Sequence, residues 1–432
     1  MPHTQAATLH EHRPLIACEM CGAIYRRHAL AHGEKALCRR CDTVLWRYSR
    51  LDAHAWLALT VAGLLVYGIA NAFPIASLAV QGVTRQATLA DAIAITWQHG
   101  YPTVAVMAGL TALALPLLQI LALLWVLGPL AAGRLAPGFP AVMRLLGLLR
   151  PWCMVPVFLL GVLVAVVKLV ALARLEPGAG LLGFAGLTVF STLLSRLSPH
   201  QLWRMAERAG VIPVHDPVPA PGTALGPCHV CGQVQALPLH DPEALHRCVR
   251  CDAHVHLRKP DTMSRTWALV LTAGLLYIPA NVLPVMQITT LFGTSNHTIL
   301  GGVIDLWRTG SWDLAVIVFI ASVAVPITKL LSLAVLLISV QRAARGSLPQ
   351  RTRLYRLVEL IGQWSMLDIY VVVLLGALAR FQGLMQISAG PGATAFGLVV
   401  VLTMLAAMSF DPRRTWDRAG AGAPSAQPAH LP

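Results

Sequence analysis

Apolar positions along this chain fall into long blocks separated by short connections rich in polar residues, Gly and Pro. Eight such blocks run at roughly 55–79, 101–128, 152–174, 179–197, 266–290, 311–340, 362–386 and 392–410. Each approaches or exceeds the ~20 residues that an α-helix needs to cross a bilayer. Several contain internal Pro or Gly, which membrane helices tolerate better than soluble ones. The pattern predicts an all-α polytopic membrane protein with eight transmembrane helices. Composition agrees, with 56% hydrophobic residues, 12% charged and a mean hydropathy of +0.64, where soluble domains carry about 25% charged residues. The polar start MPHTQAATLHEHRPL has no apolar core, so no cleavable signal is expected.

The chain repeats itself at an offset of 210 residues. Cys18, Cys21, Cys38 and Cys41 recur as Cys228, Cys231, Cys248 and Cys251, and YGIANAFP (67–74) recurs as YIPANVLP (277–284). Trp97, Gly100 and Pro116 recur as Trp307, Gly310 and Pro326; after a two-residue slip RLLGLLRPWCM aligns with RLVELIGQWSM. Such a long period indicates duplication, not a solenoid. The expected division is a cysteine module at 1–50, a four-helix membrane module at 51–210 and a Pro-rich linker at 211–227. A second cysteine module at 228–262, a second four-helix module at 263–412 and a disordered tail at 413–432 complete it.

The net charge of +14 invites a nucleic-acid reading, but topology accounts for much of it. The connection between the second and third blocks carries Arg134, Arg144 and Arg150, and its counterpart Arg342, Arg345, Arg351, Arg353 and Arg356 against Glu359. Connections on the other side are charge-poor. Basic loops stay in the cytoplasm, so both cysteine modules and both termini are expected there, and no nucleic-acid partner is expected.

CEMC and CRRC, then CHVC and CVRC, are each separated by sixteen residues, the spacing of a four-cysteine zinc site. Two CxxC turns aim four thiolates at one ion and close its tetrahedron, which suits a structural zinc and leaves no position for catalysis. Gly22 and Gly232 follow the first pairs and Asp42 and Asp252 the second, where the turn is tight. Paired disulfides are the alternative, disfavoured in a reducing compartment. The ninth cysteine, Cys153, sits in an apolar segment as a small packing residue.

With the ribbons, the duplication and YIPANVLP in view, the chain resembles the paraquat-inducible protein A family of bacterial inner-membrane proteins over roughly residues 15–412. The match is tightest in RTWALVLTAGLLYIPANVLPVM (265–286) and looser in the first half. The resemblance implies a role in lipid transport across the envelope, with phospholipid as cargo and a periplasmic MCE-domain tunnel protein as partner.

Charge inside the apolar blocks is costly and marks candidate function. Lys329, in AVPITKLLSL, lies about 18 Å from the end of its block at 1.5 Å per residue, too deep for a lysine to reach water comfortably. Ser322, Pro326, Lys329 and Ser332 share one helical face. The next block carries Ser365 and Asp368, so the sequence predicts a Lys329–Asp368 pair in a network with Ser322, Thr328, Ser332, Ser365 and Thr403. The aligned first-half positions are Ala112, Gln119, Cys153 and Pro156, which makes the second half the expected active one. Asn71 and Asn281, each three residues before Pro74 or Pro284, are expected to satisfy backbone groups where proline breaks a helix.

GAGLLG (178–183) fits a dinucleotide fingerprint, yet no strand precedes it. Walker, nucleophile-elbow and HExxH motifs are absent, and no enzyme is expected. Two other readings compete with lipid transport, which a proton-coupled Lys329–Asp368 step could serve. One is a membrane-anchored zinc or redox sensor or scaffold. The other is a small-ion or metal transporter, which would call for more buried acids, His or Cys.

Overall fold

The computed structural model describes residues 15–420 apart from 29, 49–50, 81–82, 171–173, 214–216, 218–219, 291–292, 345 and 379–384. The first cysteine module is two hairpins, β1 (Leu15–Ala17) with β2 (Ile24–Arg26) and β3 (Lys35–Leu37) with β4 (Val44–Arg47). Asp52 caps α1 (Ala53–Ala72) by accepting from the Ala55 N–H at 2.9 Å. The helix stops where Pro74 forces the preceding residue, Phe73, into an extended conformation. Strands β5 (Ala76–Val80) and β6 (Val83–Ala87) follow, then α2 (Leu89–Gln98), α3 (Pro102–Ala108) and α4 (Leu115–Ala131). Helices α5 (Phe139–Leu149) and α6 (Val155–Val170), strand β7 (Arg174–Pro177), α7 (Ala179–Leu194) and α8 (Pro199–Arg208) complete the first half.

The same order then recurs. Strands β8 (Thr223–Pro227), β9 (Val234–Pro238), β10 (His246–Arg247) and β11 (His254–Val255) form the second ribbon. They lead into α9 (Thr262–Val282), β12 (Met286–Thr290), β13 (Gly293–His297), α10 (Ile299–Arg308), α11 (Trp312–Phe319) and α12 (Val325–Gln341). The last elements are α13 (Leu348–Ile361), α14 (Leu367–Leu378), β14 (Met385–Ala389), α15 (Pro391–Ser409) and α16 (Arg413–Arg418).

The fold is mostly helical, but not all-α. Segments assigned to the ends of the first, third, fifth and seventh blocks are strands: β5 pairs antiparallel with β6 and β7, and β12 with β13 and β14. In the first and fifth blocks Pro74 and Pro284 end the helix early, and the sheet ladder then satisfies the backbone that the helix no longer can. Among the described residues five helical stretches are long and apolar enough to span: Ala53–Ala72, Pro102–Ala131, Phe139–Val166, Trp312–Gln341 and Pro391–Ser409. A sixth arises if α7 and α8, bent by 59°, form one broken span. The chain is a multi-pass membrane protein.

The discounted GAGLLG has a packing role. A Cβ on Gly178 would lie 2.1 Å from the Pro74 carbonyl oxygen, and one on Gly180 would lie 2.3 Å from that of Phe73. The Gly180 N–H instead donates to the Pro74 carbonyl at 3.0 Å. Gly390 and Gly392 meet Pro284 and Leu283 in the same way. Missing side chains therefore let α7 lie on α1, and α15 on α9, just where proline leaves carbonyls free.

The two halves meet through α14, which packs on α2, α3 and α6 of the first half. Tyr370 is fully buried there, over Gly161 and edge-on to Phe158 at 5.4 Å. Its hydroxyl shares a 2.7 Å hydrogen bond with Thr111.

The tail expected to be disordered from 413 is ordered at its start. Residues 413–418 form α16, with Arg413, Thr415 and Trp416 buried. The Trp416 indole N–H donates to Thr352 Oγ1 at 3.2 Å, so an apolar anchor orders what composition suggested was free.

Candidate functional site

Lys329 has no exposed surface. It is the fifth residue of α12, and its ammonium donates to Thr403 Oγ1 of α15 at 2.8 Å and, more loosely, to the Gly362 carbonyl at 3.5 Å. Thr403 in turn donates a hydrogen bond from its hydroxyl to the Val400 carbonyl at 2.9 Å. A buried ammonium is tolerated when such partners replace water. Ser322 and Ser332 are also buried, and Ser322 Oγ donates back to the Val318 carbonyl at 2.6 Å.

Thr328 does not join this group. One residue from Lys329 is about 100° around a helix, and Thr328 is exposed on the outer face. Ser365 lies in a 3-10 turn (Gly362–Met366) and Asp368 in the first turn of α14, but both side chains lie outside the described residues.

Just before Lys329 the helix is irregular. A π-helical turn at Ile320–Ala324 precedes Pro326, and another at Gly109–Ala114 precedes Pro116. Proline removes an N–H from each ladder and frees carbonyls. Tyr67 and Tyr277, from α1 and α9, donate their hydroxyls to the Leu113 and Val323 carbonyls at 3.0 and 3.5 Å. Asn71 and Asn281 serve the tyrosines' own helices, each amide donating to the Tyr67 or Tyr277 carbonyl at 2.9 Å.

Eight cysteines form two buried clusters, Cys18–Cys21–Cys38–Cys41 and Cys228–Cys231–Cys248–Cys251, with all sulfurs of each within 4.8 Å of one another. Cross-pairs such as Cys18–Cys41 and Cys228–Cys251 lie 3.5 Å apart. A tetrahedral four-thiolate zinc with ~2.3 Å bonds needs about 3.8 Å between sulfurs, so the donor set fits a metal. The turns supply the geometry. The Gly22 and Asp42 N–H groups donate to the Cys18 and Cys38 carbonyls at 2.9 Å, and Gly232 and Asp252 repeat this. All four of these residues adopt the left-handed conformation, with φ from 54 to 75°, which Gly enters freely and Asp more readily than most. Hydrogen bonds from the neighbouring thiols, led by Cys18 and Cys228, hold Cys38 and Cys248 far below the ordinary thiol range. Cys18, Cys21, Cys228 and Cys251 are pushed the other way, so part of each cluster holds protons that a bound metal would displace.

The family model for paraquat-inducible protein A matches residues 53–207 and 263–420. The chain belongs to the paraquat-inducible protein A family. It is 32% identical over 412 residues to the Intermembrane transport protein PqiA of Escherichia coli, covering 93% of this chain and 95% of that protein. Over 418 residues it is 30% identical to the Lipophilic envelope-spanning tunnel protein A of the same bacterium, covering 93% and 90%. The Probable intermembrane transport protein of Haemophilus influenzae is 28% identical over 408 residues, covering 93% and 95%. No solved structure matches the chain.

In this member of the family, the matched segments contain both membrane halves and leave both ribbons outside. Several partners escaped the sequence reading. The Gly362 carbonyl carries no side-chain signal, and neither does the Thr111–Tyr370 contact between halves. Tyr67 and Tyr277 stand in the repeat, each four residues before a repeated Asn and so one helical turn away, but the carbonyls of Leu113 and Val323 that they serve carry no signal there.

Proposed function

We propose that this chain is an inner-membrane component of an envelope lipid-transport system, passing phospholipid to or from a periplasmic MCE-type tunnel protein. Support comes from the names of relatives aligned over nine-tenths of the chain, from its multi-pass helices and from a fully buried lysine in the second half. In this reading eight spans cross the bilayer in two four-helix modules. Both termini and both ribbons face the cytoplasm, and each ribbon holds one structural zinc. Lys329 acts with Thr403, Ser322, Ser332 and Asp368 beside the lipid path, and a proton taken up or released there couples to the transport cycle. The protein works without bond-making chemistry of its own.

Complementation of an envelope-integrity defect tests the site. Lys329→Ala and Asp368→Asn should abolish function at normal protein levels, and full activity in both would overturn the assignment. Mass spectrometry of the purified protein should find phospholipid and a tunnel-type partner.

A further inference from the structure

Each ribbon touches both membrane halves, but the turn carrying its second cysteine pair rests on the half that it does not lead into. The first ribbon precedes α1, yet its cysteines pack against Leu348 and Trp416 of the second half. Arg356 of α13 donates to the Cys41 carbonyl at 3.0 Å, and Arg353 pairs with Asp42 at 3.3 Å. The second ribbon precedes α9, yet its Cys248–Cys251 turn rests on the first half. Arg250, inside that turn, binds Glu207 of α8, lies 4.6 Å over the Trp203 ring and donates to the Cys231 carbonyl at 2.5 Å. The same turn faces Gly138, Pro140, Ala141 and Arg144 at the start of α5. The ribbons also join each other, burying Ala17 and Ile24 against Leu225 and Val234. Uncrossed links exist as well: Glu19 with His200, Arg27 with Glu207, and Arg258 with Asp417.

We propose that the two ribbons form a reciprocal clamp, in which metal loading of each ribbon holds a helix of the half that it does not lead into, α13 for the first and α8 for the second. The contacts run through the backbone of the metal turns. Arg356 grips the carbonyl of one cysteine, and Arg250 is held between two cysteines while bonding the carbonyl of a third. A CxxC turn keeps that geometry when both thiolates are tied to an ion, and loosens when they are not. A thiophilic divalent ion therefore sets how firmly the halves are held together, beyond stabilising the ribbons themselves. The inference rests on metal loading, not on lipid transport.

The test is hydrogen–deuterium exchange on the full-length protein in nanodiscs, with metal content measured on the same samples. Cys38→Ser with Cys41→Ser should raise exchange of α13 about tenfold and that of α8 far less; Cys248→Ser with Cys251→Ser should do the reverse. Equal rises in both helices, the opposite pairing, or no rise in either overturns the clamp. Arg356→Ala and Arg250→Ala keep all eight thiols and guard against a general failure to fold. They should retain wild-type metal content while loosening α13 and α8 respectively, and unchanged protection in both overturns the proposal. Metal-free wild-type protein with both helices fully protected also overturns it. None of these readouts involves lipid transfer, so they stand or fall separately from the transport reading.

Discussion

The Lys329 ammonium and the Thr403 hydroxyl, on α12 and α15, meet at 2.8 Å in a site closed to solvent. Thr403→Val keeps the shape but removes the acceptor, leaving a buried charge underpaired. The expected loss is about 1–3 kcal/mol, read as a lower Tm in detergent. Lys329→Met, which removes the charge instead, should cost less stability than Thr403→Val while still abolishing function. Equal transport in Lys329→Met and wild type would remove the lysine from the mechanism.

Tyr67 and Tyr277 each serve one carbonyl beside a π-helical turn. Tyr67→Phe should lower stability by about 0.5–1.5 kcal/mol, the net worth of one hydrogen bond. Tyr277→Phe should cost less, because its contact is longer. Thermal unfolding of the two variants checks the order.

Gly180→Ala and Gly392→Ala insert a methyl group 2.3 and 2.5 Å from the carbonyl oxygens of Phe73 and Leu283. Backbone cannot yield as a flexible side chain does, so each should cost at least 1–3 kcal/mol. Gly68→Ala, with nothing within 4 Å, is the control and should be neutral or slightly stabilising.

Asp411 is buried, and although burial opposes its charge, Arg413 and the Lys259 backbone N–H hold its carboxyl well below the usual range. Its folded pKa is thus lower than its unfolded one. The stability it contributes is full above the unfolded value of about 3.9 and is lost as pH falls toward the folded value. Asp411→Asn should lower Tm at pH 7, and the gap to wild type should shrink below about pH 4. A gap that widens on acidification would contradict the assignment.

Particular residues show how far the sequence could be followed. The spacing of eight cysteines and the Gly or Asp after each pair foretold both four-cysteine clusters and their turns, because a CxxC turn is local and its left-handed residue is nearly compulsory. Lys329 stood out for an equally local reason: an ammonium in an apolar block is expensive wherever the helix packs. Its acceptor Thr403, 74 residues away, was included in the expected network, whereas Thr328 was wrongly included beside it. Adjacency in sequence does not mean a shared face on a helix.

Sequence alone therefore determined the membrane character, the two cysteine centres, the duplicated order of elements and the charged position in the second half. These follow from hydropathy, spacing and burial cost, which act over a few turns of chain. Tertiary structure decided that Pro74 and Pro284 hand each first helix over to a sheet, that Tyr370 of one half seals against Thr111 of the other, and that the second cysteine turn of each ribbon rests on the half it does not lead into. Those choices depend on which surfaces meet after the helices assemble, and no local pattern encodes that meeting.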